Sequence, residues 1–292
     1  MARVRYSATY PSPLSMGQTL RRSLPFRCLV CVTLLLAVRF VSAGEIQLAP
    51  SLHYFNYSEF SDDGSLFNRE TGFLPGLQIS AGTRFGQDFW GHLQADFYRG
   101  TVDYDGQTQS GVPHLTESDT VLYRLGGSVS YAFKENFRPY LSLRYLRWDR
   151  TIRDNFNPTL GAVVSGVYEQ YRWWEAGVGA RADLWQRADS QWLLDVALLS
   201  ILVPEMQIDL ENRGFGSPVL PLGEEYGVRA ELSWIKNWQE NRSIDLSLYY
   251  EAWDFGRSAD IVVNRGTLFM VIHEPRSETR SAGARLTFTF LF

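Results

Sequence analysis

The chain has 292 residues but only two cysteines, Cys28 and Cys31, and both lie within its first 43 residues. From residue 44 onward the absence of thiols excludes disulfides, thiolate metal sites and a cysteine nucleophile. Lysine is nearly absent from this part too, with only Lys134 and Lys236. No apolar run after residue 43 approaches the roughly 20 residues that a membrane-spanning helix needs. Any contact with lipid must therefore be made by strands.

The first 43 residues have the pattern of a secretory signal peptide. Arginines at positions 21, 22 and 27 precede an apolar stretch, and the small-residue site 41–43 comes before Gly44. We expect cleavage after Ala43, which leaves 44–292 as the mature domain. Because the segment before Met16 is long for a leader, both Met1 and Met16 stay open as the start of translation.

The charge balance disfavours nucleic acid as a partner. Removing residues 1–43 takes away six arginines and no acid, so 22 basic residues face 32 acidic ones and the formal net charge is about −10. The sequence predicts no cofactor and no metal site. Asp103-Tyr104-Asp105-Gly106 lacks the further acids and the closing glutamate that a calcium loop requires.

What the mature chain does have is alternation of apolar and polar residues. The last segment, 281–292, places an apolar residue at every second position from Ala284 to Phe292, with Arg285 and two threonines between them. Nine further segments repeat this period, so the sequence predicts about ten strands. They are about 46–60, 73–85, 89–98, 121–133, 137–145, 174–184, 192–199, 226–234 and 244–251.

Connections between these strands alternate in length. Short links alternate with long polar segments, which are 61–70, 100–118, 150–167, 203–223 and 254–280. Aromatic residues also recur about 9 to 11 residues apart within a strand, as in Phe89 to Phe97 and Phe137 to Tyr145, which matches the height of a bilayer. A soluble β-sandwich would share the alternation, but its outer face is normally rich in lysine.

The terminal strand resembles the closing strand of bacterial outer-membrane β-barrels. That resemblance implies that Phe288, Phe290 and Phe292 are the signal that the barrel-assembly machinery reads. The predicted fold is all-β: a transmembrane antiparallel up-and-down β-barrel of about ten strands, with short periplasmic turns and long extracellular loops. The predicted location is the outer membrane of a Gram-negative bacterium.

Many charged residues fall on the inward-facing parity of the strands. Alone in a lumen of low dielectric each would be costly, so we expect linked ion pairs and hydrogen bonds. Ten strands leave a narrow interior, which disfavours a wide pore but leaves a narrow channel open. The predicted set is Asp96, Arg124, Arg144, Glu175, Arg181, Asp195, Arg229, Glu231, Asp245, Glu251 and Arg285.

Three outward arginines, Arg99, Arg147 and Arg172, come just beyond the outer aromatic girdle. Guanidinium groups bind phosphate through paired, charge-assisted hydrogen bonds, so these residues are predicted to contact lipopolysaccharide at headgroup level. The alternative is that they are ordinary solvated strand ends.

Ten strands with five long outer loops also resemble the layout of the omptin family of outer-membrane proteases. That resemblance implies an acid pair in the second loop, matched here by Asp103 and Asp105, and an aspartate–histidine pair around the fourth, where this chain offers Asp209 but no histidine. Without such a base the hydrolysis lacks its proton acceptor. We therefore interpret Asp103 and Asp105 as part of a loop turn.

The sequence favours a non-enzymatic outer-membrane barrel that displays surface loops for a structural or interaction role. The alternatives are an omptin-like protease or other barrel hydrolase, and a narrow channel. Expected partners are membrane lipid, lipopolysaccharide and, during insertion, the assembly machinery. The extracellular ligand of the loops and the oligomeric state stay open.

Overall fold

A computed structural model describes residues 44–108, 110–134 and 136–292. The predicted signal peptide, residues 1–43, lies outside the described residues. Ten long strands, β1 to β10, make up most of the described chain. Their bounds are Gly44–Phe60, Leu66–Phe85, Phe89–Gln107, Pro113–Tyr131, Phe137–Ile152, Val167–Gln186, Ser190–Asp209, Tyr226–Gln239, Arg242–Phe255 and Arg276–Leu291.

Each strand pairs antiparallel with the next along the chain, and β10 pairs with β1, so the sheet closes into a barrel. Closure brings the first and last described residues together, because Gly44 and Phe292 exchange backbone hydrogen bonds of 3.0 and 3.3 Å. Closing the sheet pairs both of its edges, which an open sheet would leave exposed. The predicted ten-stranded up-and-down barrel is confirmed.

An apolar band surrounds the outside of the barrel. It consists of the outward residues of every strand, for instance Leu93 of β3 and Leu141 of β5, whose side chains are 56% and 68% exposed. Aromatic pairs border the band: Phe97 packs on Tyr123 at one edge. At the other edge Phe89 packs on Tyr131. The lipid-facing side assigned by the sequence pattern is thus the exposed side.

The strands extend well beyond this band, which corrects the predicted loops. Half of segment 61–70 and most of segment 100–118 belong to strands, because β2 begins at Leu66, β3 continues to Gln107 and β4 begins at Pro113. Above the girdle the side-chain pattern inverts. On β3, Arg99 faces outward, while the inward Tyr98 and Val102 are almost fully buried.

The three remaining outer connections contain local structure of their own. Segment 153–166 carries the hairpin Asn155–Asn157 with Ala162–Val164, and segment 256–275 carries the hairpin Ile261–Arg265 with Leu268–Ile272. Between β7 and β8, the 3₁₀ helix Glu211–Arg213 precedes a short strand, Val219–Pro221, that pairs with β7. These three segments form the top of the barrel.

Candidate functional site

The lumen is organised in layers that can be followed along β5 and β6. Cross-strand partners in this pair run Arg144–Glu175, Leu146–Trp173, Trp148–Tyr171 and Arg150–Glu169, from the middle of the barrel toward the outer end. All eight side chains point inward and are buried. An ionic layer, an aromatic layer and a second ionic layer therefore lie above one another.

The lower ionic layer lies level with the girdle. Arg144 bridges Glu175 at 2.5 Å and Glu251 at 3.3 Å, and Arg124 binds the other oxygen of Glu251 at 2.6 Å. The indole of Trp173 donates to Glu175 at 3.0 Å. Each carboxylate thus has a cation or a donor inside the barrel, as burial of charge requires.

The other predicted lumen charges are paired as well. Arg181 binds Asp195 at 2.9 Å, and Arg285 lies 3.3 Å from Glu231. Asp195 also accepts from the hydroxyl of Tyr140. The ring of Tyr140 fills the space where a Cβ on Gly179 would lie, so this close approach requires glycine. The remaining members also have polar partners: Arg229 donates to Tyr140, Asp96 accepts from Gln94 and Asp245 accepts from Ser247.

The aromatic layer was not predicted. Trp148 stacks on Tyr171 with ring centroids 4.6 Å apart, and Trp173 meets Phe255 edge-on at 5.1 Å. Met206 of β7 and two leucines of the connection between β7 and β8, Leu220 and Leu222, complete this core. Its other members are Phe55, Tyr57, Leu74, Tyr98, Val102, Leu122, Leu146, Ile201 and Trp253. This packing fills the interior of the barrel above the girdle.

The upper ionic layer consists of Glu59, Glu70, Arg150, Glu169 and Glu274. Arg150 is 1% exposed and binds three of the glutamates, Glu59 at 2.8 Å, Glu70 at 2.7 Å and Glu169 at 3.0 Å. The fourth glutamate enters from the connection between β9 and β10 and accepts from Tyr171 at 2.6 Å. We call these five residues the glutamate cluster; the sequence did not reveal it.

The acids implied by the omptin resemblance do not converge on one site. Asp103 and Asp105 lie within β3, on its outer face, and not in a loop, so their interpretation as a turn is wrong. Asp209 ends β7 on the outer parity opposite Tyr168, and it accepts from the backbone N–H of Glu211. Three strands separate β3 from β7, and all three carboxylates are exposed on the outside of the wall.

The four histidines of residues 44–292 are dispersed. His53 is buried in the lumen beside the hydroxyl of Tyr249, at 3.1 Å, and His92 lies on the inner face of β3. His114 is buried at the outer end of β4. His273 lies 3.5 Å from Asp260 on the surface, a pair that sequence analysis did not single out. Asp260 is already bound by Arg257 at 2.6 Å.

The outer-wall arginines differ in their partners. Arg147 makes a two-pronged contact with Asp149 at 3.0 and 2.9 Å, and Arg172 binds Glu205 at 2.9 Å. Arg99 is exposed and has no ion pair within 4 Å among the described residues. It borders a depression of about 590 Å³ on the outer wall, which Asp119, Arg153 and Tyr168 also line.

Within the described ranges, no group of three or more histidine, cysteine, aspartate or glutamate side chains is arranged to hold a metal ion. In the same part of the chain no helix is long and apolar enough to cross a bilayer.

Comparison of the fold with solved structures finds bacterial outer-membrane barrels. The outer-membrane protease OmpT from Escherichia coli aligns over 86% of this chain and 96% of its own, with 9% identity and a TM-score of 0.56. The translocator domain of the autotransporter NalP from Neisseria meningitidis covers 91% and 94% at 9% identity, with a TM-score of 0.46. The Pseudomonas putida toluene transporter TodX covers 88% and 92% at 10% identity, with a TM-score of 0.37.

The chain has the bacterial outer-membrane β-barrel fold. The exposed apolar band is the surface that faces lipid in this fold, and Gly44 and Phe292 lie on the side of the short turns. No family model matches the sequence, and no curated protein matches it either. At 9% identity the likeness to OmpT establishes the shared fold alone.

Proposed function

We propose that this outer-membrane barrel is not an enzyme and serves as a rigid wall that displays its outer segments to the surroundings. The observation that carries the proposal is the sealed interior: stacked ionic and aromatic layers occupy the lumen where a substrate or a permeating solute would have to enter. A barrel filled in this way offers its outer end for contact.

The displayed surface consists of the three longer connections, 153–166, 210–225 and 256–275. Their hairpins carry exposed apolar side chains, including Phe156 at 57% and Phe269 at 73% exposure. Exposed apolar residues at folded, well-braced tips are typical of surfaces that contact a partner. These tips are therefore the first candidates for the site that binds the unknown ligand.

Cysteine labelling of intact cells tests the display. Because residues 44–292 contain no cysteine, Phe269→Cys introduces a single thiol, and Gln87→Cys in the turn between β2 and β3 is its matched control. A membrane-impermeant maleimide should label Phe269→Cys in intact cells and Gln87→Cys only after lysis. Labelling of the control with protection of position 269 would reverse the orientation and end the display proposal.

The hydrolase alternative has its own test. The purified barrel, refolded with lipopolysaccharide, should not cleave basic peptides, since among the described residues none of the three outward aspartates forms an ion pair or hydrogen bond with a histidine. Cleavage that disappears in Asp103→Ala would overturn the proposal and restore the protease interpretation.

We also propose that lipopolysaccharide binds the outer wall at Arg99. Arg147 and Arg172 are each engaged by a carboxylate, whereas Arg99 is exposed beside the depression and two positions above the girdle residue Phe97. The Asp119 carboxylate lies close enough to Arg99 to interact with its charge, but Arg153 already binds that carboxylate. An exposed guanidinium at headgroup height suits a lipid phosphate.

Thermal unfolding with and without purified lipopolysaccharide tests this assignment. Arg99→Gln should lose most of the stabilisation that lipopolysaccharide gives, and the matched variant Arg172→Gln should lose less of it. Phosphatidylglycerol vesicles distinguish a general lipid phosphate from lipopolysaccharide. Equal losses in both variants would contradict a site centred on Arg99.

A further inference from the structure

The glutamate cluster has more acids than its single cation can neutralise. Glu59, Glu70, Glu169 and Glu274 are each at most 7% exposed, and Arg150 is the one guanidinium among them. Full ionisation would leave three uncompensated negative charges in a buried layer. Since desolvation of charge is costly, part of the cluster must hold protons at neutral pH.

Glu274 differs from the other three because it belongs to a connection and not to the wall. No cation lies within ion-pair distance of it in the part of the chain that the structure describes. Its carboxyl instead accepts from Tyr171 at 2.6 Å and from Tyr57 at 3.3 Å. Its attachment to the barrel through side chains therefore consists of hydrogen bonds to two tyrosine hydroxyls.

Glu274 also joins the two ends of segment 258–274 through hydrogen bonds with Ser258. The backbone N–H of Ser258 donates to the carbonyl of Glu274 at 3.0 Å, and the Ser258 hydroxyl accepts from the backbone N–H of Glu274 at 2.8 Å. The hairpin formed by Ile261–Arg265 and Leu268–Ile272, within segment 258–274, is thus held at its base, and the Glu274 side chain connects that base to the lumen. Val263, on the inner face of this hairpin, is 8% exposed, whereas Phe269 is 73% exposed.

We propose that Glu274 is a proton-dependent latch: its neutral carboxyl holds segment 258–274 over the outer end of the barrel, and loss of its proton releases that segment. The inference goes beyond loop display, since it states when one displayed segment moves. The groups that face the latch are Tyr57 and Glu59 of β1, Arg150 of β5, and Glu169 and Tyr171 of β6. Glu70 of β2 binds the same Arg150 and Tyr104 of β3 borders the cluster, while His273 and Asp260 of the latch's own segment pair with each other at the surface.

The environment of the Glu274 carboxyl determines whether high or low pH favours release. Burial raises the pKa of Glu274 well above its ordinary value, and the charges of Glu59 and Glu169 raise it further, against smaller opposing effects of Tyr171 and Arg150. After release the group returns to water and its ordinary pKa. The closed state therefore binds one more proton than the open state, so low pH favours closure. Each increase of one pH unit shifts the equilibrium toward the open state by up to about tenfold.

A buried thiol reports the release. Val263→Cys reacts with a maleimide only when segment 258–274 leaves the barrel, and Phe269→Cys on the same hairpin corrects for the intrinsic pH dependence of thiol chemistry. The ratio of the two labelling rates in the refolded barrel of residues 44–292, which contains no other cysteine, should rise between about pH 5 and about pH 9. In Glu274→Gln, which stays neutral, the ratio should remain low throughout.

Two results would overturn the latch. The first is a labelling ratio that does not change with pH in the barrel that keeps Glu274 and carries only the reporter cysteine. An equal rise in Glu274→Gln would assign the pH dependence to another group. On gels, a folded barrel resists unfolding by detergent as long as the sample is not heated. This check verifies that each variant has folded before its labelling rate is measured.

Discussion

Arg144 and Arg153 show how burial decides what an ion pair contributes. Arg144 is buried between Glu175 and Glu251, whereas Arg153 pairs with Glu117 and Asp119 on the exposed outer end. Removing a buried partner leaves an uncompensated charge, but removing an exposed one leaves a carboxylate that water can solvate. The two residues should therefore differ strongly in their effect on stability.

We predict that Arg144→Met lowers the free energy of unfolding by about 3–5 kcal/mol. The matched variant Arg153→Met should lower it by about 0–1 kcal/mol. Urea unfolding of the barrel in lipid vesicles, followed by tryptophan fluorescence, measures both. Adding Glu175→Gln to Arg144→Met should restore part of the loss. Equal losses for the two single variants would contradict the importance of burial.

Individual residues were predictable where the strand period fixed their side of the wall. The inward positions of the charged residues followed from parity alone, and the structure confirms them. Glu274 could not be found in this way, because it enters the lumen from a connection whose path the period does not determine. Asp103 was misplaced because Asp-Tyr-Asp-Gly has the composition of a turn.

At the scale of the element, β3 shows why the strand ends were missed. Up to Phe97 its outer face meets lipid and is apolar, while beyond Arg99 the outer face meets water and the inner face meets the aromatic core. Side chains still alternate between the two faces of the strand, but beyond Arg99 the apolar side chains lie on the inner face and the polar ones on the outer face. A search for apolar residues on one parity therefore ends at the girdle, although the hydrogen-bonded strand continues to Gln107.

The last strand, β10, permits a separation of assembly from stability. Phe288 and Phe290 lie in register with Leu48 and Ile46 of β1, within the lipid-facing wall, but Phe292 is 61% exposed at the seam. We predict that deletion of Phe292 reduces the amount of barrel inserted in cells several-fold, because the terminal aromatic is the proposed assembly signal. The purified variant should refold into detergent micelles about as well as the unchanged chain.

Quantification of outer-membrane fractions and gel mobility of the refolded protein check the two parts of that prediction. Arg242→Gln, at the neighbouring start of β9, serves as a control that leaves the terminal aromatic intact. If the deletion impairs refolding and insertion alike, Phe292 contributes to stability and need not be a signal.

The described part of the chain forms a barrel with a lipid-facing lower half and a water-facing upper half, and the two halves have interiors of different chemistry. Within the apolar band the lumen contains ion pairs, and above it lies an aromatic core capped by the glutamate cluster. Sequence periodicity predicted the closed wall because every strand repeats the same lipid-facing signal. It could not predict the aromatic core, which depends on which inward residues of non-neighbouring strands meet across the barrel.

The stacked layers lead to a prediction about conduction. The purified barrel should give no steady conductance step in planar bilayers, because the ionic layer around Arg144 and the aromatic layer around Trp148 each close the lumen separately. Trp148→Ala should still give none, since the ionic layer beneath it stays intact. A regular ohmic step from the unchanged chain would contradict the sealed lumen and revive the narrow channel. A step that appears only in Trp148→Ala would show that the aromatic layer alone is the seal.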